Sequence, residues 1–424
     1  MPVVRDHEGA GANLTESGSA ISSRAFMSSS SPIPCLVTDE GALDAMCTQL
    51  ADAEYYALDT EFHTERTYFP KLALIQLAWA DKVALVDPLA VDPRPLARVF
   101  SGRGIAVAHA AEQDIEVLET ACGTVPSIVF DTQIVAGFLG MSSPSLSRLV
   151  DQVLGISLPK ADQLSDWMHR PISARQITYA AGDVAHLLDL RTAVTQRLED
   201  LDRLTWALEE CAQTLSARRR RVAPEELWWK MGDIRKLSGR SRGVAQEVAA
   251  WRDRRAAALD RPRRTVLSDL ALLAIAQRPP RNRRELEQTR GVDGRHLAQG
   301  AAAEILEAVA RGLALAPDEI RLPPDGREGQ ASPAAVAVCS GLVRQIADDL
   351  SFDQGLLATR ADIANLLCGE TSRLDVGWRR SIAGDPLRSL IAGAVAAAFD
   401  ADGALVLEER SFRPQFTARS RPDQ

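Results

Sequence analysis

The chain has 424 residues, 46% of them hydrophobic and 25% charged, with a formal net charge of −8 and a pI near 5.5. That length predicts several domains with a substantial core, and no apolar run reaches the roughly 18 residues that a membrane helix needs. No basic stretch followed by an apolar core opens the chain, so no signal peptide is expected. The six cysteines (35, 47, 122, 211, 339 and 368) include no C-x-x-C pair, which disfavours zinc and predicts a reducing compartment, the cytoplasm.

Residues 1–32 are rich in Ser, Gly and Ala without apolar periodicity and read as a disordered leader. A short helix over Leu43–Leu50 precedes a strand, Tyr55–Thr60. Leu72–Ala80 and Val83–Val86 follow as a hairpin linked by Asp81-Lys82. Ile105–His109 reads as a buried strand entering a helix at about Glu112–Ala121, and Ile128–Phe130 as a further strand ending in Asp131-Thr132. Helices then dominate: Thr132–Leu139, Leu146–Leu154, and one long helix from Ser173 to about Leu198, opened by the capping-box pattern Ser173-x-x-Gln176. Strands with interposed helices, then helices alone, predict an α/β domain over residues 33–205. Beyond it, Pro224–Lys236, Gly243–Leu259, Val266–Ala276, Arg283–Gln288 and Gln299–Leu313 read as short helices. Residues 314–333, with four prolines, read as a linker. A second helical block comprises Ala334–Leu350, Arg360–Leu367 and Asp385–Phe399, with a β-like finish at Ala404–Leu407.

The chemistry concentrates in a few acids. Asp59 and Glu61 sit two apart, so in a strand both leave the same face. Such a pair alone is ordinarily a solvated strand end, unless a cation lies between the charges or one acid stays protonated. Asp114 falls in the first turn of its helix, where the helix N-terminus already favours a carboxylate. Asp183 and Tyr179 are four apart on the long helix and therefore neighbours on one face. Four carboxylates suffice to hold two divalent cations with open positions for water and phosphate oxygens. His109 reads as a core histidine and His186 equally as a neighbour of Asp183 or a helix-surface residue, whereas Lys160 and Arg170 suit structural ion pairs and phosphate contacts equally. Gly102-x-Gly104 precedes a strand rather than following one, and no P-loop pattern occurs, so no nucleotide cofactor is expected.

Several blocks together carry a resemblance. Leu58-Asp59-Thr60-Glu61-Phe62, continued by Glu65-Arg66-Thr67-Tyr68-Phe69-Pro70-Lys71-Leu72 and on to Gln76-Leu77, is similar to the first exonuclease motif of the ribonuclease D family and its extension. Ala108-His109 through Asp114 to Leu118 resembles the second motif, and Tyr179-Ala180-Ala181-Gly182-Asp183 the third in its Tyr-x-x-x-Asp form. Phe130-Asp131-Thr132-Gln133, and Lys160 through Trp167 to Arg170-Pro171, also look like signatures of that family. The resemblance implies an RNase H-like exonuclease domain of the DEDDy 3′–5′ exonuclease superfamily, a mixed sheet flanked by helices. It implies that Asp59, Glu61, Asp114 and Asp183 bind two Mg2+ or Mn2+ ions and that Tyr179 orients the attacking water. The implied activity is 3′–5′ exoribonuclease action releasing nucleoside 5′-monophosphates, with tRNA 3′ ends and other stable RNA precursors as substrates.

Charge is unevenly spread. From Arg203 to Gly300 there are 22 Lys and Arg against 12 Asp and Glu, a net of +10, which leaves −18 on the remainder. Clusters at Arg218–Arg221, Arg252–Arg255, Arg261–Arg264 and Arg281–Arg284 suggest a salt-sensitive grip on an RNA backbone. Residues 217–313 resemble the HRDC domain, an all-α module, and 334–415 a second, diverged copy. A monomer with RNA as partner and no membrane association is expected. The alternatives are a DNA 3′–5′ exonuclease of the same superfamily and a non-catalytic RNA-binding protein on an exonuclease fold.

Overall fold

The structure, a computed structural model, describes residues 33–158, 165–218, 222–231, 237, 239–322 and 331–410. The leader expected over 1–32, Lys160 and the side chains of Arg218–Arg221 lie outside the described residues.

The first part of the chain runs β1 (Cys35–Val37), α1 (Glu40–Ala51), β2 (Tyr55–His63), β3 (Lys71–Trp79), β4 (Lys82–Val86), α2 (Ala97–Phe100), β5 (Ile105–Ala108), α3 (Glu112–Cys122) and β6 (Ile128–Asp131). Helices α4 (Thr132–Gly137), α5 (Leu146–Leu154), α6 (Ala174–Ala185), α7 (Leu187–Asp200) and α8 (Leu204–Arg218) follow. The six strands form one mixed sheet in the order β1-β4-β3-β2-β5-β6. β2 and β3 pair antiparallel, as do β3 and β4, while β2, β5 and β6 are parallel neighbours. The hairpin link is Ala80-Asp81, one residue earlier than the apolar pattern suggests, because Ala80 takes the turn's positive φ of 50°.

Period-two alternation sorts β2 between two cores. Tyr56 and Leu58 pack with α1, α2 and α3, while Ala57 faces the layer built by α4 to α8. Central β3 is buried from Leu72 to Trp79, as expected of a strand covered on both faces. The single long helix expected from Ser173 is two helices that break at His186 (φ −112°, ψ 1°). Ala180, Val184, Leu187, Leu190, Val194 and Leu198 are all buried, so the apolar stripe runs through the break and periodicity cannot reveal it. Arg170 is structural. Its Nε and Nη2 grip the Asp87 carboxylate at 2.6 and 2.7 Å, and it donates further to the carbonyls of Ala73 and Trp167. This pins the 165–171 segment to the sheet just ahead of the Ser173–Gln176 capping box that starts α6.

A separate helical core follows, from α9 (Arg240–Leu259), α10 (Arg263–Val266), α11 (Asp269–Gln277), α12 (Arg283–Glu287) and α13 (Ala301–Ala314). α9 and α13 cross at Gly243 and Gly312, where an added Cβ on Gly243 would stand 2.4 Å from the Gly312 carbonyl oxygen. Only glycine permits that approach. The last part comprises α14 (Pro333–Asp349), α15 (Gln354–Leu357), α16 (Arg360–Cys368), α17 (Gly377–Arg379) and α18 (Asp385–Ile391), then an antiparallel ribbon of β7 (Val395–Phe399) and β8 (Leu405–Glu409). The helix expected over Asp385–Phe399 therefore stops short. Gly393 turns the chain at φ 72°, and the Asp400 carboxylate accepts from the N–H groups of Asp402 and Ala404 to close a hairpin that overrides the helix preference of the alanine run. This last block shares a core with the first. Phe138, Trp206, Phe352 and Trp378 form one aromatic cluster, with Phe138 and Trp378 centroids 5.1 Å apart, and the buried Arg379 pairs with Glu210 at 2.6 Å.

Candidate active site

β2 and β5 run parallel, with Ala57 opposite Val107. The chain leaving the carboxyl ends of both strands therefore converges on one place, where open α/β sheets bind ligands. Asp59 and Glu61 project there from β2, and a bulge between Glu61 and Phe62 ends the regular pairing. From β5 the chain passes through Ala110, whose φ of 57° is left-handed, into α3 with Asp114 in its first turn. Asp131 fixes that turn. Its carboxylate accepts from the N–H groups of Ala110 (3.0 Å) and Ala111 (2.9 Å) while also capping α4 through Gln133 and Ile134. The Thr60 hydroxyl, on the opposite face of β2 from Asp59, donates to Asp114. Carboxylates from both layers thus meet at the strand end.

α6 packs on β2, β3 and β4 and supplies the remaining members. Tyr179 stands one turn before Asp183, its hydroxyl favouring that carboxylate's charged form, and the Tyr179 ring lies 6.0 Å from that of buried Trp167. A cavity of about 490 Å3 is lined by Asp59, Glu61, Asp114 and Tyr179, with Thr60, Phe62, Ala110, Glu112 and Gln113 completing the wall. Asp183 is not part of that wall but acts on Asp59 and Glu61 through its charge.

Electrostatically the four acids are in conflict. Burial, then the charges of Asp114, Asp183 and Glu61, push the Asp59 carboxyl well above its ordinary range. Burial and the charges of Asp183 and Asp114 raise Glu61 to about 8. Asp183 is raised to about 7 by burial against the opposing Tyr179 hydrogen bond, and Asp114 to about 6 by burial against the bond from Thr60. Burial and the neighbouring Asp183 and Glu61 likewise raise the Tyr179 phenol. Among the described residues no group of three or more His, Cys, Asp or Glu side chains is gathered tightly enough to hold an ion.

Other predicted residues resolve differently. His109 bonds the Thr132 hydroxyl (2.9 Å) and the Pro144 carbonyl (3.0 Å), a satisfied core histidine, and His186 caps the break between α6 and α7. The arginine clusters are largely engaged within their own module: Arg252 with Asp269, Arg254 with Glu225, Arg255 with Glu304, Arg263 with Asp253 and Arg283 with Glu287. Gln76 stands opposite Asp59 on β3, fully buried, and neither polar atom of its amide has a partner. A glutamine inside the apolar run Leu72–Trp79 was its signal in the sequence; for Asp131 the signal was an acid placed between a strand and a helix, where N-caps sit.

Comparisons with known proteins agree with this geometry. The family model described as 3′–5′ exonuclease matches residues 34–199, and the HRDC domain model matches 241–309. The ribonuclease D of Granulibacter bethesdensis is 35% identical over 378 residues, covering 87% of this chain and 95% of its own. That of Gluconacetobacter diazotrophicus is 36% identical over 367 residues, covering 85% and 93%. The crystal structure of Escherichia coli RNase D, described as an exoribonuclease involved in structured RNA processing, matches with a TM-score of 0.77 at 29% identity, over 85% of this chain and 99% of that one. An exonuclease domain followed by an HRDC domain, matched along nearly the whole length of these relatives, places the chain in the ribonuclease D family.

Proposed function

We propose that the chain is a metal-dependent 3′–5′ exoribonuclease that releases nucleoside 5′-monophosphates, with Asp59, Glu61, Asp114 and Asp183 holding two Mg2+ or Mn2+ ions. The observation that carries this reading is the set of four mutually repelling carboxylates, delivered by β2, α3 and α6 to one strand end, with no cation among the groups that set their ionisation. Their donor chemistry fits: hard carboxylate oxygens without thiol or imidazole suit Mg2+ and Mn2+ rather than zinc, and positive charge would relieve the repulsion among them. When bound, the ions supply charge neutralisation of the phosphodiester and a lowered pKa for the attacking water.

The chain's own residues do the rest. Tyr179, its phenol pushed up by burial and by Asp183, stays protonated and holds water by a hydrogen bond rather than taking its proton. Thr60 orients the Asp114 carboxylate, and Asp131 fixes the turn from which α3 starts. Half-exposed Phe62 in the cavity wall offers an apolar surface to a terminal base.

The substrate in this reading is RNA, in line with the E. coli relative's description as an exoribonuclease involved in structured RNA processing, and the finer reading is trimming of tRNA 3′ ends and other stable RNA precursors. The working form is a cytoplasmic monomer needing no nucleotide cofactor. Its parts are an exonuclease domain over 33–205, an HRDC domain over 217–313, a linker over 314–333 and a diverged HRDC-like block over 334–415. The test is to incubate the protein with 3′-labelled and 5′-labelled RNA in Mg2+ or Mn2+. Label lost first as mononucleotide from the 3′ end supports the reading, and shortening from the 5′ end refutes it. A substrate ending in a 2′-deoxy residue separates RNA from DNA specificity.

A further inference from the structure

A second cavity, of about 410 Å3, opens where the loop between β2 and β3 meets the HRDC core. The seam is a polar clamp. The Asp260 carboxylate accepts from the N–H groups of Tyr68 and Phe69 at 3.1 Å, and the Tyr68 hydroxyl donates to Asp253 at 2.8 Å. Arg263 lies over the Tyr68 ring, 4.9 Å from its centroid, and donates to its hydroxyl. Four cationic side chains line the cavity, Lys230, Arg252, Arg263 and Arg264, against the single carboxylate of Asp269. Asp269 is itself shared between Arg252 (2.7 Å) and Arg264 (3.2 Å), so positive charge is left over. Lys230 is exposed, and Arg264 keeps 84% of its side chain in solvent.

Arg252 adds an independent sign. It is 4% exposed, and its Nη groups reach Asp269, the Leu267 carbonyl and the Met231 sulfur, but its Nε–H is buried without a partner. The Arg252 guanidinium in the cavity wall is therefore one donor short of its bonding capacity.

Position identifies the anion. Thr64, in the cavity wall, follows Glu61 by three residues, so the two Cα atoms are at most about 10 Å apart. Successive backbone phosphates of one strand lie several ångströms apart, so a strand whose end is held at the carboxylates meets the cavity within its last few nucleotides. We infer that this seam is a phosphate site for the substrate strand, holding backbone phosphates a few nucleotides upstream of the terminus being cut. The inference rests on Asp59 and Glu61 marking the cut, but its test does not require cleavage.

The full chain is titrated in EDTA with fluorescein-labelled single-stranded oligoribonucleotides of two and of eight nucleotides, following anisotropy between about 50 and 200 mM salt. Lys230→Ala/Arg264→Ala is expected to weaken the octamer on the order of tenfold and to flatten its log–log salt slope by about 1.4, two contacts at about 0.7 each. The dinucleotide, too short to reach the seam, should bind as before. Lys230→Ala alone removes a side chain outside every ion pair described here and should give about half the slope change, with an unmoved melting temperature verifying the fold. Unchanged octamer binding overturns the assignment, as does equal weakening of both lengths. Inorganic phosphate is the second arm. If it binds wild type but not the double variant while octamer affinity is untouched, the cavity is a free-anion site and the strand assignment is wrong. Octamer binding that weakens as expected in a protein that hydrolyses nothing would leave the seam standing and sink only the catalytic reading.

Discussion

Replacing Asp59 by asparagine should abolish hydrolysis and at the same time stabilise the metal-free protein at alkaline pH. Each carboxyl of the group has a folded pKa above its unfolded value: Glu61 about 8, Asp183 about 7, Asp114 about 6. The folded state therefore holds more protons than the unfolded one, and the associated stability is present below about pH 4 and lost as pH rises through 6 to 8. Asp59 feels Asp114, Asp183 and Glu61 together. A like-charge pair roughly 6 Å apart at an effective dielectric near 20 costs roughly 3 kcal/mol, and solvent and salt at the open cavity reduce the recoverable part to about 1–2 kcal/mol. At about 2–4 °C per kcal/mol, the variant should melt roughly 2–8 °C above wild type in EDTA near pH 8.5, with the gain vanishing near pH 5. Saturating Mg2+ or Mn2+ should reverse the order, since binding at a hundredfold excess over Kd adds about 2.7 kcal/mol to wild type, and the variant lacks a ligand. Scanning calorimetry at both pH values, with and without the cation, reads all of this. A variant destabilised equally at both pH values would refute the reasoning, as would wild type equally stable at both.

Tyr179→Phe removes the phenol but none of the four carboxylates; turnover should fall by about a hundredfold or more while the cation-induced rise in melting temperature persists. Gln76→Leu replaces two unpaired buried polar atoms with an apolar group and should cost under about 1 kcal/mol of stability or raise it. If the amide serves Asp59 across the strands, turnover nonetheless drops on the order of tenfold, and unchanged turnover limits Gln76 to packing. Trp378→Ala opens the aromatic cluster that joins the last block to the exonuclease domain and should cost about 3–5 kcal/mol. A calorimetric trace in which the exonuclease transition stays put while another moves would contradict the shared core.

What the sequence disclosed was local. Period-two runs located β2 and β3, Ser173 and Gln176 announced the start of α6, and the spacing of Asp59, Glu61, Asp114, Tyr179 and Asp183 carried the family resemblance. Long-range partnerships escaped it. Nothing near Arg170 names Asp87 as its ligand, 83 residues away, so a phosphate contact and a structural pair were equally open until the sheet brought them together. The ion pairs of the arginine clusters escaped it for the same reason, since Glu225, Asp269 and Glu304 reach Arg254, Arg252 and Arg255 from other helices. Val395–Phe399 reads as helix on propensity and becomes a strand because Gly393 and Asp400 impose turns on either side of it.

The exonuclease domain is held by two seams of opposite character, and the difference bears on how it works. Through α4 and α8 the last block continues its apolar core, with Phe138 and Trp378 in edge contact and Arg379 buried against Glu210, so the two can only unfold together. The HRDC module instead touches the β2–β3 loop mainly through polar contacts of Tyr68, Asp253, Asp260 and Arg263, with the Tyr68 ring also packed against the module's core. Polar seams of that kind permit relative motion of domains. The anchor of this one, Tyr68, follows Glu61 by seven residues in the loop that leaves β2, so a shift of the HRDC module acts on the loop leaving the strand that carries two of the four carboxylates. A phosphate seated between Lys230, Arg252 and Arg264 would bring positive and negative charge into register across that seam and draw the loop toward the module. An upstream stretch of the strand would then tighten the site that cuts its end, which predicts that the seam variants lose more turnover on long substrates than on short ones.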